Sequence, residues 1–82
     1  MSLEDELMDY VRREIVRGRA PAGVDQETAL FSSGLATSIH LIELLAFIGA
    51  RFGVSFEPGE LEVKDFDSVR LIAMEVRRRI RD

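Results

Sequence analysis

The sequence lacks cysteine altogether and has a single histidine and only two prolines. Without cysteine, disulfides, thiolate metal sites and cysteine nucleophiles are all excluded. Long apolar runs are also missing, since the longest mainly apolar stretch, Ile39 to Ile48, is interrupted by His40 and Glu43 and is too short to cross a bilayer. The N-terminus is acidic where a signal peptide would be basic. We therefore expect a soluble, unprocessed, cytoplasmic protein with no membrane contact.

The chain also lacks an excess of positive charge, since its formal net charge is −4. A nucleic-acid-binding surface needs clustered cations, so we expect no nucleic-acid partner and favour basic partner surfaces. Arginines do collect in the last predicted helix: Arg70, Arg77, Arg78, Arg79 and Arg81. We interpret them as favourable to a helix C-terminus and to solubility. The acidic residues between Val54 and Phe66 lack the spacing of a calcium loop, which predicts a solvated face and no metal site.

Apolar residues, by contrast, make up 46% of the 82 residues and are spread along the whole chain. This composition favours a compact fold over a disordered tail. A chain of this length supports one hydrophobic core and leaves no room for a separate substrate-binding lobe. We predict a single domain spanning residues 1–82.

The first predicted helix is amphipathic and runs from Leu3 to Arg17. Its apolar residues recur every four positions with two more beside them: Leu3, Leu7, Val11, Ile15, Met8 and Tyr10. Gly18 is predicted to end it. The helical period then disappears from Arg19 to Thr37, which predicts a long functional loop. Three apolar residues are expected to attach this loop to the core: Val24, Leu30 and Phe31.

The second predicted helix begins at Ser38, with Thr37 as its N-cap, and ends at Gly53. At about 100° per residue, one face of this helix is needed for the core. That face comprises Leu41, Leu44, Leu45, Ile48 and Phe52. The roughly opposite face is expected to point outward and comprises His40, Glu43, Ala46, Phe47 and Ala50.

The remaining segments complete an all-helical prediction. Val54 and Phe56 alternate as in a strand, but no partner strand is predicted, so we expect an extended connection whose two apolar side chains turn inward. A short helix is expected over Pro58–Lys64, with Leu61 as its main core contact. The last helix starts after Asp67, a suitable N-cap. It is predicted to bury Val69, Ile72, Ala73, Val76 and Ile80.

The predicted fold is therefore all-α: a small four-helix bundle with three long helices and one short one, and a long loop between the first and second helices. At the end of that loop, residues 34–39 form a glycine turn that delivers the Ser38 hydroxyl to an exposed helix N-terminus. Free backbone N–H groups and the positive end of the helix dipole stabilise a phosphodiester at such a place. A lone serine at such a place is most often an ordinary N-cap or first-turn residue, so the surrounding pattern decides.

That pattern consists of blocks in a defined order and spacing: Asp25, Thr28, Leu30-Phe31, Gly34-Leu35, Ser38-Ile39, Leu41, Glu43-Leu44, Phe52-Gly53-Val54 and Phe66-Asp67-Ser68-Val69. Together they make the chain resemble the acyl carrier protein family across nearly its whole length. The resemblance implies an acyl-carrier-protein-like bundle that is not an enzyme itself. Chemistry would belong to a covalent 4′-phosphopantetheine arm and to the partner enzymes.

By this resemblance the family's Asp-Ser-Leu motif falls on Thr37-Ser38-Ile39. Ser38 is thus the expected attachment point for 4′-phosphopantetheine from coenzyme A. The implied partners are a phosphopantetheinyl transferase and then acyl-loading and acyl-processing enzymes. Ile39 replaces a leucine that packs under the loop. Thr37 replaces an aspartate, which removes a charge beside the serine but still allows a helix cap.

In fatty-acid members of the family, the helix after the serine presents an acidic stripe to basic partner enzymes. Here Glu43 is the only acidic residue of that helix. We infer dedicated partners with a more apolar docking surface, in a specialised lipid, polyketide or other secondary-metabolite pathway. The residues expected to contact them are Thr37, Ile39, His40, Glu43 and Phe47. Packing of Phe47 under the preceding loop is an equally good interpretation.

Catalysis by the chain itself is not expected. His40 and Ser38 lie two residues apart on a helix, so they point in different directions and do not readily share a hydrogen bond. The sequence has no nucleophile elbow around Ser38 and no glycine-rich phosphate loop. We expect a free-standing, monomeric carrier. Its cargo is expected to shelter between facing apolar side chains such as Leu41, Leu45, Phe56 and Ile72.

Other functions stay open from the sequence alone. The bundle also suits an unmodified protein-interaction module, with Thr37 as the trace of a lost arm. A stand-alone peptidyl or aminoacyl carrier shares the bundle and the arm, but it usually has two glycines and a histidine ahead of the serine, which residues 35–37 do not match. A small helical DNA-binding domain is disfavoured by the acidic net charge.

Overall fold

The computed structural model describes residues 2–17, 23–57, 59 and 61–80, and within them the fold is entirely helical, as predicted. Its α-helices are α1 (Leu3–Tyr10), α2 (Ser38–Phe52) and α3 (Val69–Ile80). A π-helical segment, Val11–Val16, continues α1 directly, and a 3₁₀ turn, Val63–Phe66, precedes α3. Across these described residues, no helix has both the length and the apolar character needed to cross a membrane.

The first helical segment matches its predicted extent to within one residue. Ser2 Oγ accepts a hydrogen bond from the Asp5 N–H (3.1 Å), and the Ser2 N–H donates to Asp5 Oδ2 (3.4 Å), which forms a capping box. The segment ends where Arg17 adopts a left-handed conformation with φ 49° and donates its N–H to the Arg12 carbonyl (3.0 Å). Gly18, the predicted stop, lies outside the described residues. The π-helical widening was not predicted, because the apolar period alone does not distinguish it from an α-helix.

The core lies between the three helices and contains most of the apolar residues predicted for it. Among its fully buried members are Leu7, Val11, Ile15, Leu44, Ile48, Ile72 and Val76. Two more come from the connections, Leu30 in the long loop and Phe66 in the 3₁₀ turn. Val24 and Phe31 pack against the core from the loop, so all three predicted loop contacts are confirmed.

The connection between α2 and α3 differs from its prediction in one element. Val54 is buried and Phe56 packs against the core from an extended segment, as expected. The short helix predicted over Pro58–Lys64 is not confirmed, because Leu61 and Glu62 are not helical, although Gly59 and the turn that begins at Val63 have 3₁₀ geometry. Pro58 and Glu60 lie outside the described residues. Leu61 still packs against the core, because burial of its side chain does not require a helix.

Helix α3 buries four of its five predicted core residues, Val69, Ile72, Ala73 and Val76. Ile80 was predicted to be buried as well, but it is 54% exposed. Ile80 instead lines an open groove at the last turn of α3, together with Phe52 and Val54. The apolar spacing of a helix predicts a face but not how far the neighbouring elements extend along it.

The arginines of α3 make specific contacts in addition to their expected role at a helix C-terminus. Arg77 forms a two-pronged ion pair with Glu4 of α1, in which Nη2 lies 2.6 Å from Oε1. Arg78 pairs with Glu75 (2.9 Å), and the Arg79 guanidinium lies 5.1 Å from the centre of the Phe56 ring. Arg81 lies outside the described residues. The Glu4–Arg77 pair joins α1 to α3, and an Arg51–Glu6 pair (2.5 Å) joins α2 to α1.

Candidate functional site

Ser38 occupies the first position of α2, and its side chain is exposed. Thr37 precedes it in an extended conformation as the N-cap, and its carbonyl accepts the first helical hydrogen bond from Leu41 (3.1 Å). The predicted start of the helix is therefore confirmed. The first N–H groups of an α-helix have no acceptor within the helix, and Ser38 lies at this end of α2. This is the arrangement that favours an anion at a helix N-terminus.

His40 takes part in this helix start through its ring. The Thr37 N–H donates to His40 Nδ1 (2.9 Å), and Thr37 Oγ1 lies 3.3 Å from the same nitrogen. Since Nδ1 accepts the hydrogen bond, the proton of the neutral ring is on Nε2. His40 was expected to point outward, but it is only partly exposed, because its ring turns back over Thr37. This capping role of His40 was not predicted from the sequence, although position three of a helix is where such partners occur.

We expect His40→Ala to loosen the start of α2 and to lower the free energy of unfolding by about 1 kcal/mol, because the Thr37 N–H loses its acceptor. His40→Asp should restore most of this loss, since Asp5 accepts the cap N–H at α1 in the same way. Amide hydrogen exchange at Thr37, together with urea unfolding, measures both effects. Unchanged exchange at Thr37 in His40→Ala would contradict the assignment.

The exposed face of α2 differs from the predicted one. Ile39, which was expected to pack under the loop and also to contact partners, is 66% exposed, and Ile42 is 67% exposed. Glu43 and Ala46 are also exposed, so a largely apolar surface runs along α2 from Ser38. We call the residues Ile39, Ile42, Glu43 and Ala46 the α2 outer face. The exposure of Ile42 was not predicted, although this isoleucine lies outside the predicted core face of the helix.

Phe47 was predicted either on the outward side or under the preceding loop, and it packs inward against α1. Its ring stacks on Tyr10 of α1 with centroids 4.3 Å apart, and it meets Phe52 edge-on at 6.0 Å. The core face of α2 is therefore wider than the predicted stripe, because α1 also covers the Phe47 side. Burial raises the pKa of the Tyr10 phenol, and the nearby Glu43 carboxylate raises it further. Glu43 thus lies at the border between the α2 outer face and α1.

The loop that leads to Ser38 is held by Asp67. Its Oδ1 accepts hydrogen bonds from the backbone N–H groups of Leu30 (3.2 Å), Phe31 (2.6 Å) and Ser32 (2.9 Å). Its Oδ2 accepts the Ser32 hydroxyl (2.6 Å). Asp67 was predicted to cap α3, but Ser68 does so, because its Oγ accepts the Leu71 N–H (3.2 Å). Adjacent Asp67 and Ser68 are both good caps, so the sequence did not separate their roles.

The environment of Asp67 favours its ionised form. Partial burial raises the pKa of this carboxyl, but the hydrogen bonds from the Ser32 side chain and from the three backbone N–H groups together outweigh burial. The net effect places the pKa of Asp67 below its ordinary value of 3.8. The loop contacts of Asp67 are therefore made by a charged carboxylate at neutral pH.

Among the described residues, no group of three or more His, Asp or Glu side chains could hold a metal ion.

Two open surface grooves of about 420 and 440 Å³ are lined by residues distant from Ser38 in the sequence. Neither groove is lined by Leu41, Leu45, Phe56 or Ile72, so a cargo shelter between those side chains stays a prediction.

No protein-family model matches the sequence, and no curated protein matches it.

Proposed function

We propose that the protein is an acyl carrier whose Ser38 bears a 4′-phosphopantetheine arm. The observation that carries this proposal is the exposed Ser38 hydroxyl at the first position of α2, where the helix N-terminus stabilises an added phosphate. The all-helical fold and the long loop before Ser38 support it. The finer proposal of an acyl-carrier-protein-like bundle rests on the residue pattern described above.

The modification itself would be a phosphoryl-group transfer. Ser38 Oγ would form a bond to the phosphorus that carries the pantetheine part of coenzyme A. The bond from this phosphorus to the bridging oxygen would break, and adenosine 3′,5′-bisphosphate would leave with that oxygen. The hydroxyl proton would pass to a base on the transferase. The thiol at the end of the arm would then carry the acyl group as a thioester, so this chain transports intermediates and the partner enzymes transform them.

Thr37 stands where the family pattern has an aspartate, and we propose that it keeps the capping function of that residue without its charge. The capping position is filled, because Thr37 is extended and its N–H is bound by His40. A negative charge beside Ser38 is not supplied by either side chain. We therefore propose a transferase that recognises the helix start through shape and hydrogen bonds more than through charge.

The α2 outer face is the proposed docking surface for partner enzymes. Ile39 and Ile42 supply its apolar area, and Glu43 supplies its one charge. Thr37 and His40 form the edge nearest to Ser38, whereas Phe47 would support the surface from the inner side through its stack on Tyr10. A partner with an apolar contact surface and one basic group would fit it. The rest of the proposal is a cytoplasmic monomer, without nucleic-acid or membrane partners, in a specialised lipid, polyketide or related pathway.

Intact-mass measurement tests the proposal directly. The purified protein is incubated with coenzyme A and a broad-specificity phosphopantetheinyl transferase, and we expect a mass gain of one phosphopantetheine group. Ser38→Ala should abolish the gain. Ser55→Ala is the matched control, because Ser55 is also exposed but follows the opposite end of α2, and this variant should be modified like the wild type.

Two results would count against the carrier function. A gain that persists in Ser38→Ala would place the modification elsewhere. The absence of any gain in the wild type would favour the unmodified interaction module, in which the α2 outer face binds partners without an arm.

A further inference from the structure

The loop before Ser38 is attached to the beginning of α3 at two separate places. Asp67 accepts three backbone N–H groups and one hydroxyl from residues 30–32, and its own carbonyl accepts the Leu30 N–H (2.7 Å). Nearer the start of the loop, the Arg70 N–H donates to the Gln26 carbonyl (3.0 Å), and the Arg70 side chain pairs with Glu27 (3.5 Å). The first turn of α3 therefore determines the path of the loop.

The contact at Leu30 extends toward Ser38 through the loop itself. The Leu30 carbonyl accepts the Ala36 N–H (2.9 Å), which closes residues 30–36 into one compact turn. Leu30 and Ala36 are both buried, at 1% and 5% exposure, so the two ends of this turn are fixed in the core. Thr37 and Ser38 follow Ala36 directly. The position of the Ser38 hydroxyl relative to the bundle therefore depends on where Leu30 is held.

We propose that Asp67 is a positioning residue for the modification of Ser38, because it holds the loop segment that places this serine at the start of α2. This inference rests on the proposed function. It assigns a role in the modification to Asp67, which lies 29 positions after Ser38, just before α3. Asp67 does not contact the reacting atoms in this arrangement. Its carboxylate holds Phe31 and Ser32 within the turn that Leu30 and Ala36 close, and this turn leads directly to the N-cap Thr37.

A transferase must bring the phosphorus of coenzyme A into line with Ser38 Oγ, so a serine held in one position reacts faster than one that moves with a loose loop. Removing the Asp67 carboxylate leaves the backbone N–H groups of Phe31 and Ser32 without this acceptor, whereas the Leu30 N–H keeps its bond to the Asp67 carbonyl. The turn over residues 30–36 then samples other positions. We expect kcat/KM for the modification of Ser38 to fall by more than the loss of folded protein would explain.

The test compares transferase kinetics for three variants at a temperature where circular dichroism shows each of them folded. Asp67→Ala should lower kcat/KM for modification roughly tenfold. Asp67→Asn should show a smaller decrease, because the amide oxygen still accepts the backbone N–H groups without the charge. If Asp67→Ala does not fold, Asp67→Asn still tests the inference. Val76→Ala is the matched control, since it destabilises the same helix from a fully buried position that lies nine residues after Asp67.

Amide spectra separate positioning from stability. The signals of Ser32 and Ser38 should both shift in Asp67→Ala and stay near their wild-type positions in Val76→Ala. A wild-type rate in Asp67→Ala, or an equal loss of rate in Val76→Ala, would overturn this inference alone. If the wild-type protein takes no arm, the proposed function fails, and the role of Asp67 in it fails as well.

Discussion

Ile48→Ala is expected to lower the free energy of unfolding by about 3 kcal/mol. Ile48 is fully buried on the core face of α2, so the substitution removes apolar contacts and leaves a cavity among large neighbours. A domain of this size has only about 5 kcal/mol of stability in total, so a large share of it would be lost. Urea unfolding followed by circular dichroism measures the change.

The control for this prediction lies on the same helix and has the same side chain. Ile42 is 67% exposed, so Ile42→Ala should change stability by no more than about 0.5 kcal/mol. The pair separates burial from helix propensity, because both substitutions replace isoleucine by alanine within α2. Equal losses in the two variants would mean that α2 packs on the bundle with a different face.

Acid is expected to weaken the fold through Asp67. The pKa of this carboxyl is lowered in the folded protein, so the folded state binds fewer protons than the unfolded chain as the pH falls past 3.8. The stability that the charged carboxylate contributes is therefore fully present above this pH and is lost as the pH drops through the folded-state pKa. The pKa of Glu4 is also lowered, mainly by its hydrogen bond to Arg77, and adds a loss of the same sign.

The measurement compares wild type with Asp67→Asn at a series of pH values from 7 to 2. At neutral pH the variant should be less stable by about 2 kcal/mol, because it loses a charged acceptor of several hydrogen bonds. The difference should shrink in acid, where the wild-type carboxyl is protonated as well. Ser32→Ala removes one of the bonds and should give an intermediate pH dependence. A difference that stays constant down to pH 2 would contradict the assigned role of the charge.

Most of the helical framework could be predicted because it depends on local signals. The apolar spacing of Leu7, Val11 and Ile15 predicted the first helix, and Thr37 and Gly53 predicted both ends of α2. Predictions failed where a residue had several good local options. Asp67 and Ser68 are both suitable caps, and only the structure shows that the serine caps α3 while the aspartate binds the loop.

At the candidate site, too, the local features were predicted and the tertiary contacts were not. The sequence placed Ser38 at a helix start, and the structure confirms that position and the exposure of its side chain. The neighbours of Ser38 were less predictable, since a helical period gives the direction of a side chain but not which elements cover it. Ile39 was expected under the loop as well as in contact with partners, and it is exposed. Phe47 was expected outside or under the loop, and it stacks on Tyr10 of α1.

The sequence by itself therefore determined that the chain is helical, which residues form most of the core and where an exposed serine begins the second helix. Hydrophobic period, caps and glycine turns act over a few residues, so they can be read without knowing the fold. Only the tertiary structure decided how the loop is held and which face of α2 is open. Those features depend on contacts such as that between Asp67 and Phe31, 36 positions apart, which no local pattern specifies.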